Sequence, residues 1–489
     1  MKESSSSFSG RALFVAATSW LLLSLPSQGQ PPEQKQPEFK KAEIFITAKS
    51  TNPKEKDQLL YSAGFTPFQM QEQPDEDSTT IMVDLHKTFQ TIEGFGGAFT
   101  DSAAVVFSKL GKEDQTRVLK ACFDPVEGNG YTMARTTIHS CDYSDELYTY
   151  APVPGDKELK HFSIEHDKKY RIPFIKAALE TAKGNLKLFA SPWSPPGWMK
   201  DNNDMLYGGK LKPEYYQTWA DYFSKYLKAY RAEGIPMWGV TVQNEAAATQ
   251  VWESCVFTAA EEKNFVRDHL GPTLEKNGLG DVKIMIWDHN RGLMYQRAEV
   301  AYEDPEAAKY IWGMAYHWYV GDHYDNVRMV HDAYPDKKLL YSEAGIDGSW
   351  KSAYNISKSM IMDLNNWANG YFFWNLILDQ DGGPHHAGGA PPRSASNIIT
   401  ANLETGELIF NPPHYAFGQF SRFIRPGAKR LACTTNNDDF IATAFINPYG
   451  KISVVVMNLR NHSQNAQIWV QGHVLKLRCP PEAVMTAVF

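Results

Sequence analysis

The sequence predicts an α/β fold: a (β/α)8 barrel, the TIM-barrel architecture, with an attached β-sandwich side domain built from both termini. Three observations carry that expectation. Between residues 91 and 424, short apolar runs alternate with segments whose apolar residues recur at three- and four-residue steps, the pattern of repeated β/α units. Eight such units fit a closed barrel with insertions. Residues 42–90 and 425–489 instead carry β-branched or alternating runs separated by turn signals such as Asn447-Pro448-Tyr449-Gly450. Polar and aromatic residues directly follow the apolar runs of the middle segment. An open doubly wound sheet is disfavoured, because no GxGxxG follows the first strand and no Walker sequence occurs.

At the N-terminus, Lys2 and Arg11 precede an uncharged apolar run over residues 12–25, with Ser27 and Gly29 behind it. This predicts a cleavable signal peptide over residues 1–29 and hence a secreted or periplasmic protein. The run is short for a span of about 20 residues, so no integral membrane segment is expected after cleavage. Residues 30–41 are polar and rich in Pro and Gln, and read as a disordered lead-in. Sandwich strands are expected at 42–47, 57–62 and 79–85, then at 440–445, 452–459, 466–470 and 483–488. Barrel strands are expected near 94–98, 132–139, 186–191, 238–243, 283–287, 312–318, 339–342 and 371–374. Helices at 215–231 and 260–275 lie between them.

Composition narrows the function classes. The net charge of −7 favours neither nucleic acid nor an anionic membrane as partner. Aromatic residues make up 13% of the chain, and Trp and Tyr offer flat apolar faces with a polar edge that suit the C–H faces of a sugar. The five cysteines are too few and too far apart for a disulfide scaffold, and their odd number leaves at least one free thiol. Asn355 and Asn461 head glycosylation sequons.

The strand ends carry the chemistry. They read His139-Ser140-Cys141-Asp142, Pro192-Trp193-Ser194, Asn244-Glu245, Asp288-His289-Asn290, His317-Trp318-Tyr319, Glu343 and Trp374-Asn375. In a (β/α)8 barrel these ends form the active-site face. Glu245 follows the fourth run and Glu343 the seventh, on opposite sides of the barrel axis. Breaking a glycosidic bond with retention needs two such carboxyl groups, one attacking the anomeric carbon and one protonating the leaving oxygen. Partial burial and a neighbouring carboxylate are what let the acid keep its proton. Asn244 is placed to bond the sugar's 2-hydroxyl, and Tyr319 to orient Glu343.

Seven segments together resemble glycoside hydrolase family 30, the glucosylceramidase family, and occur in its order from about residue 42 to the C-terminus. They are Gly94-Phe95-Gly96-Gly97-Ala98-Phe99-Thr100-Asp101, His139-Ser140-Cys141-Asp142-Tyr143-Ser144, Ala190-Ser191-Pro192-Trp193-Ser194-Pro195-Pro196, Val242-Gln243-Asn244-Glu245, His317-Trp318-Tyr319, Ser342-Glu343-Ala344 and Trp374-Asn375-Leu376. The resemblance implies Glu245 as acid/base and Glu343 as nucleophile. It implies that Asp142, Trp193, Asn244 and Trp374 line the sugar subsite, with Tyr319 near the nucleophile. The expected protein is a cofactor-free retaining β-glycosidase acting on a β-glucoside, either a glucosylceramide-type lipid or a β-1,6-glucan. Two departures stand out: Ala246 occupies a position where the family usually has Pro, and residues 383–396 follow a different course from the lipid-cleaving members.

Other readings compete at single positions. Asp142 also fits a helix cap or a partner for Arg135, and Trp193 and Trp374 fit plain core. Gly96-Gly97 reads as a tight backbone turn below the site. His139, His289, His317 and the pair His385-His386 lie at strand ends, as in metal-dependent barrel hydrolases, yet no HxH on the first strand and no HExxH occurs. A non-catalytic carbohydrate binder would be free to lose one of the two carboxylates; this chain has both.

Overall fold

The computed structural model describes residues 39–386 and 397–489. The expected signal peptide, most of the lead-in, and residues 387–396 of the divergent segment lie outside the described residues. Eight parallel strands form the barrel: β1 (Gly94–Phe99), β2 (Met133–Ile138), β3 (Lys187–Pro192), β4 (Met237–Thr241), β5 (Lys283–Asn290), β6 (Ile311–His317), β7 (Lys338–Glu343) and β8 (Ala368–Asp379). Each neighbours the next in chain order, and β8 closes the ring by pairing with both β7 and β1.

Strands covered on both faces read as nearly continuous buried runs, and β1, β2 and nearly all of β8 are buried along their length. Six inward side chains, Met133, Phe189, Met285, Ala315, Leu340 and Phe372, pack together as an apolar plug inside the barrel. The Gly96-Gly97 pair lies within β1 rather than in a turn, which corrects the sequence reading. A Cβ on Gly96 would stand 1.8 Å from the Met133 carbonyl oxygen, and one on Gly97 would stand 2.1 Å from the Phe373 ring. These glycines let β2 and β8 approach β1 closely.

The helix expected over 260–275 is interrupted. It runs as Ala259–Phe265, a π-turn over Val266–Leu270, and Gly271–Lys276. Pro272 has no N–H to give the carbonyl four residues back, so the ladder shifts register there.

The second sheet has ten strands drawn from both ends of the chain. Lys41–Ala48 pairs antiparallel with Gln58–Pro67 on one side and Val484–Val488 on the other. Thr80–Thr91 lies between Lys429–Thr435 and Gln464–Val470. Lys429–Thr435 and His473–Cys479 are strands that the sequence reading did not mark. Ile44, Ile81, Val454, Ile468 and Leu475 sit in its core. The helix Pro412–Ser421 docks the barrel on this sheet: the Gln419 side chain donates to Thr47 Oγ1 at 2.9 Å, and its carbonyl accepts from Thr486 at 2.8 Å. All five cysteines are unpaired, and among the described residues no helix is long and apolar enough to cross a membrane.

Candidate active site

At the C-terminal strand ends lies a cavity of about 640 Å³, lined by Asp142, Trp193, Asn244, Glu245, Tyr319, Glu343 and Trp374 among others. All seven residues singled out from the sequence therefore face one space. Glu343 is the last residue of β7 and is largely buried. Tyr319 Oη donates to its Oε1 at 2.8 Å and Arg135 Nη1 donates to its Oε2 at 2.5 Å. Both oxygens of Glu343 thus accept a hydrogen bond from a fixed donor. Burial of the Tyr319 hydroxyl, then the charge of Glu343, push the phenol of this half-exposed tyrosine well above its ordinary range, so the hydroxyl keeps the proton it donates.

Arg135, from the middle of β2, is completely buried. Its other donors reach Asn244 Oδ1 at 2.8 Å, Asp288 Oδ2 at 2.7 Å and Ser191 Oγ at 3.1 Å. Asp288 also accepts from Thr241 at 2.7 Å and Ser342 at 2.6 Å, and lies 3.0 Å from His317 Nε2. Burial acts to raise the Asp288 carboxyl, but Arg135 and His317 reverse this and hold it below the ordinary range. A buried carboxylate that accepts this many hydrogen bonds stays ionised.

Glu245 sits in the loop after β4 in a left-handed conformation, with φ 51°. Such backbone is costly for a residue with a Cβ and persists where its surroundings enforce it. Its N–H donates to the Asp288 carbonyl at 2.9 Å, while that of Asn244 donates to the Pro192 carbonyl at 2.8 Å. The Gln250 amide donates to Glu245 Oε2 at 3.2 Å. Burial first, then the negative charge of Glu343, raise the Glu245 carboxyl above its ordinary value, opposed in part by His317. One imidazole joins the pair: His317 Nδ1 lies 3.9 Å from Glu245 Oε1, and its Nε2 lies 3.9 Å from Glu343 Oε2.

Trp193 and Trp374 stack with centroids 5.1 Å apart, and the Arg135 guanidinium lies 4.9 Å from the Trp193 ring. Both indoles pack on Ala98, Cys141, Tyr143 and Leu378, so they are core and cavity wall at once. The sequence reading considered Arg135 only as a partner for Asp142. The structure gives its guanidinium to Glu343 and Asp288. Its signal was present: a charged residue in the middle of an expected barrel strand demands buried partners.

Of the strand-end histidines, His139, His317 and His386 make hydrogen bonds within the protein. His139 Nδ1 is 2.6 Å from Tyr222 Oη and its Nε2 is 2.6 Å from the Ser194 carbonyl oxygen. Burial, with the neighbouring His317, pulls the His289 imidazole down to about 3, which leaves it neutral beside Glu245. Asp101, His166 and Asp167 form a grouping with metal-ligand spacing. The Arg171 guanidinium already supplies the cation there, 3.4 Å from Asp101 and 2.6 Å from Asp167.

Comparison with known proteins agrees with this geometry. Residues 92–424 match the Glycosyl hydrolase family 30 TIM-barrel domain, and residues 427–487 match the beta sandwich domain of the same family. Lysosomal acid glucosylceramidase of Mus musculus is 35% identical over 411 residues, spanning 79% of this chain and 79% of that protein. Endo-1,6-beta-D-glucanase of Neurospora crassa is 30% identical over 354 residues, spanning 71% and 72%. The structure of SrfJ from Salmonella typhimurium superposes with a TM-score of 0.86 at 32% identity, covering 92% of this chain and 99% of that one. Fold, cavity and relatives converge, and the chain belongs to glycosyl hydrolase family 30.

Proposed function

We propose that this protein is a secreted retaining β-glycosidase that hydrolyses β-glucosidic bonds by double displacement. Glu343 attacks the anomeric carbon while Glu245 gives its proton to the leaving oxygen. Glu245, now a carboxylate, then takes a proton from water, whose oxygen displaces Glu343 from the same carbon. The observation that carries this reading is the pair of buried glutamates lining one cavity, Glu343 accepting from Arg135 and Tyr319 and Glu245 raised by burial and by the charge of Glu343. A retaining mechanism needs such a pair about 5–5.5 Å apart, whereas inversion leaves room for a water at about 6.5–9.5 Å, and the anomer of the first product decides between them. Arg135 and Tyr319 hold Glu343 in the accepting form a nucleophile needs. Burial beside Glu343 favours the protonated form of Glu245 that an acid needs. Asp142, Asn244, Trp193 and Trp374 bind the glucose ring.

The first substrate class is a glucosyl lipid of the glucosylceramide type, supported by the mouse relative at 35% identity. A β-1,6-glucan is the second, supported by the fungal relative at 30%. Products are to be analysed by NMR on glucosylceramide, gentio-oligosaccharides and β-xylosides. β-Glucose as the first-formed anomer is expected, from glucosylceramide faster than from gentiobiose; α-glucose as the first product overturns the assignment of the two carboxylates. Activity is expected to survive chelator unchanged.

A further inference from the structure

Behind the sugar subsite lies a second buried carboxylate that the double displacement does not use. Glu253 follows Trp252, which packs on the indole cluster of Trp193 and Trp374. It is almost completely buried. Its Oε1 lies 2.6 Å from the Ser140 hydroxyl and 3.0 Å from His386 Nε2. Its Oε2 is also buried and has no hydrogen-bond partner among the described residues. His386 Nε2 lies in addition 2.9 Å from the carbonyl oxygen of Cys141. Both atoms facing this nitrogen accept, so Nε2 carries a proton and is shared between carboxylate and carbonyl.

We propose that Glu253 and His386 form a positioning pair that fixes Asp142 in the sugar subsite. The Cys141 carbonyl that His386 holds belongs to the peptide leading directly into Asp142, and Ser140 is tied by the same carboxylate. Three loops meet at this point, those following β2, β4 and β8. The Pro384 carbonyl accepts from Ser102 Oγ, which anchors the third loop a second time. On its far side the turn is already fixed: the Cys141 N–H donates to Ser144 Oγ at 3.1 Å, and Ser144 donates to Asp101 at 2.7 Å. The peptide leading into Asp142 is therefore held from both sides, and the Glu253–His386 pair is the hold on the side of the cavity loops. Burial works against a charged His386, and the hydrogen bond and charge of Glu253 reverse this, raising the imidazole above its ordinary value. A buried carboxylate needs such a partner, since it is costly to leave unpaired.

This inference rests on the reading of Asp142 as a sugar ligand, and one double-mutant cycle separates the two. Binding of 1-deoxynojirimycin, a glucose-shaped iminosugar, is measured by calorimetry on the full chain. Asp142→Asn, Glu253→Ala, His386→Ala and the double variants with Asp142→Asn are compared with the unmodified protein. Each single variant of the pair is expected to weaken binding about tenfold, and less than about twofold once Asp142 is already Asn, as coupled neighbours do. His386→Gln, which keeps an N–H donor, is expected to restore most of the loss, and it carries the test if Glu253→Ala does not fold. Effects of Glu253 and His386 that persist undiminished in the Asp142→Asn background, or no effect of either, overturn the positioning role. An Asp142→Asn variant that binds as tightly as the unmodified protein overturns instead the place of Asp142 in the subsite.

Discussion

Glu245 and Glu343 are the same side chain in two surroundings, and their difference is made by neighbours. Arg135 and Tyr319 both donate to Glu343, while Glu245 receives one amide from Gln250 and is raised by burial and by the charge of Glu343. Chemical rescue separates the roles. With an activated aryl β-glucoside and azide, Glu343→Gly is expected to yield α-glucosyl azide and Glu245→Gly to yield β-glucosyl azide, identified by NMR; the reverse pairing would exchange the two assignments. The pH dependence follows from the direction of the Glu245 shift. With Glu245 as the proposed acid its protonated form is the active one, so the rate on a poorly activated glucoside is expected to hold beyond the pH of about 4.3 where an ordinary glutamic acid loses its proton. It declines as pH rises through the raised value. On a 2,4-dinitrophenyl glucoside, whose departure needs no proton, that alkaline limb is expected to vanish from kcat/KM. The carboxylates were legible in the sequence because each follows an apolar run at a strand end. Arg135 was not seen as part of the site, because its side chain enters from the middle of a strand, where the linear pattern does not show which neighbours it meets.

Close approach governs the strands. Adding a methyl group at Gly96 places a carbon 1.8 Å from a backbone oxygen of β2, and backbone inside a closed barrel has no free direction in which to yield. Gly96→Ala is therefore expected to cost about 3 kcal/mol or more, read as a lowered midpoint in urea unfolding. Gly111→Ala, where a Cβ meets nothing within 4 Å, should move the midpoint far less. Seven of the eight barrel strands were legible as apolar runs, and the glycine-rich first, Gly94–Phe99, was expected only as the one that completes the ring. Lys429–Thr435 was not marked, because Lys429 and Arg430 open it with charge, and His473–Cys479 was missed although Leu475-Lys476-Leu477-Arg478-Cys479 alternates as a half-buried strand does. Their strand character comes from pairing with partners distant in sequence, such as Cys433 with Val83. The π-turn at Val266–Leu270 was hidden for the opposite reason: the apolar spacing continues through it, and only Pro272 marks the break.

At the scale of the molecule, the sandwich is closed by the two ends of the chain. Glu43 and Ser453 both register with Val488, and Gln419 holds Thr47 and Thr486 to the barrel's last helix. Removing residues 1–49 takes away a strand that is paired on both sides and buries Ala42, Ile44 and Ile46. The truncated chain is expected to melt several degrees lower and to give less soluble protein, measured by calorimetry and by yield. Equal melting temperatures would show that the strand adds nothing to the fold. Sequence pattern indicated that both ends were β-rich; which strand pairs with which depends on contacts more than 400 residues apart, as between Glu43 and Val488, and local pattern carries no such information.

The imidazole between the two carboxylates has an electrical consequence. In the proposed double displacement, Glu343 becomes neutral on forming an ester with the sugar, and in the same step Glu245 releases its proton and becomes an anion. One negative charge thus passes from one side of His317 to the other, and the ring sits 3.9 Å from where that charge starts and 3.9 Å from where it arrives. The sum of charges around Arg135, Asp288 and His317 is the same before and after, so the buried frame gains and loses no net charge during turnover; what it meets is the displacement of one charge across the imidazole.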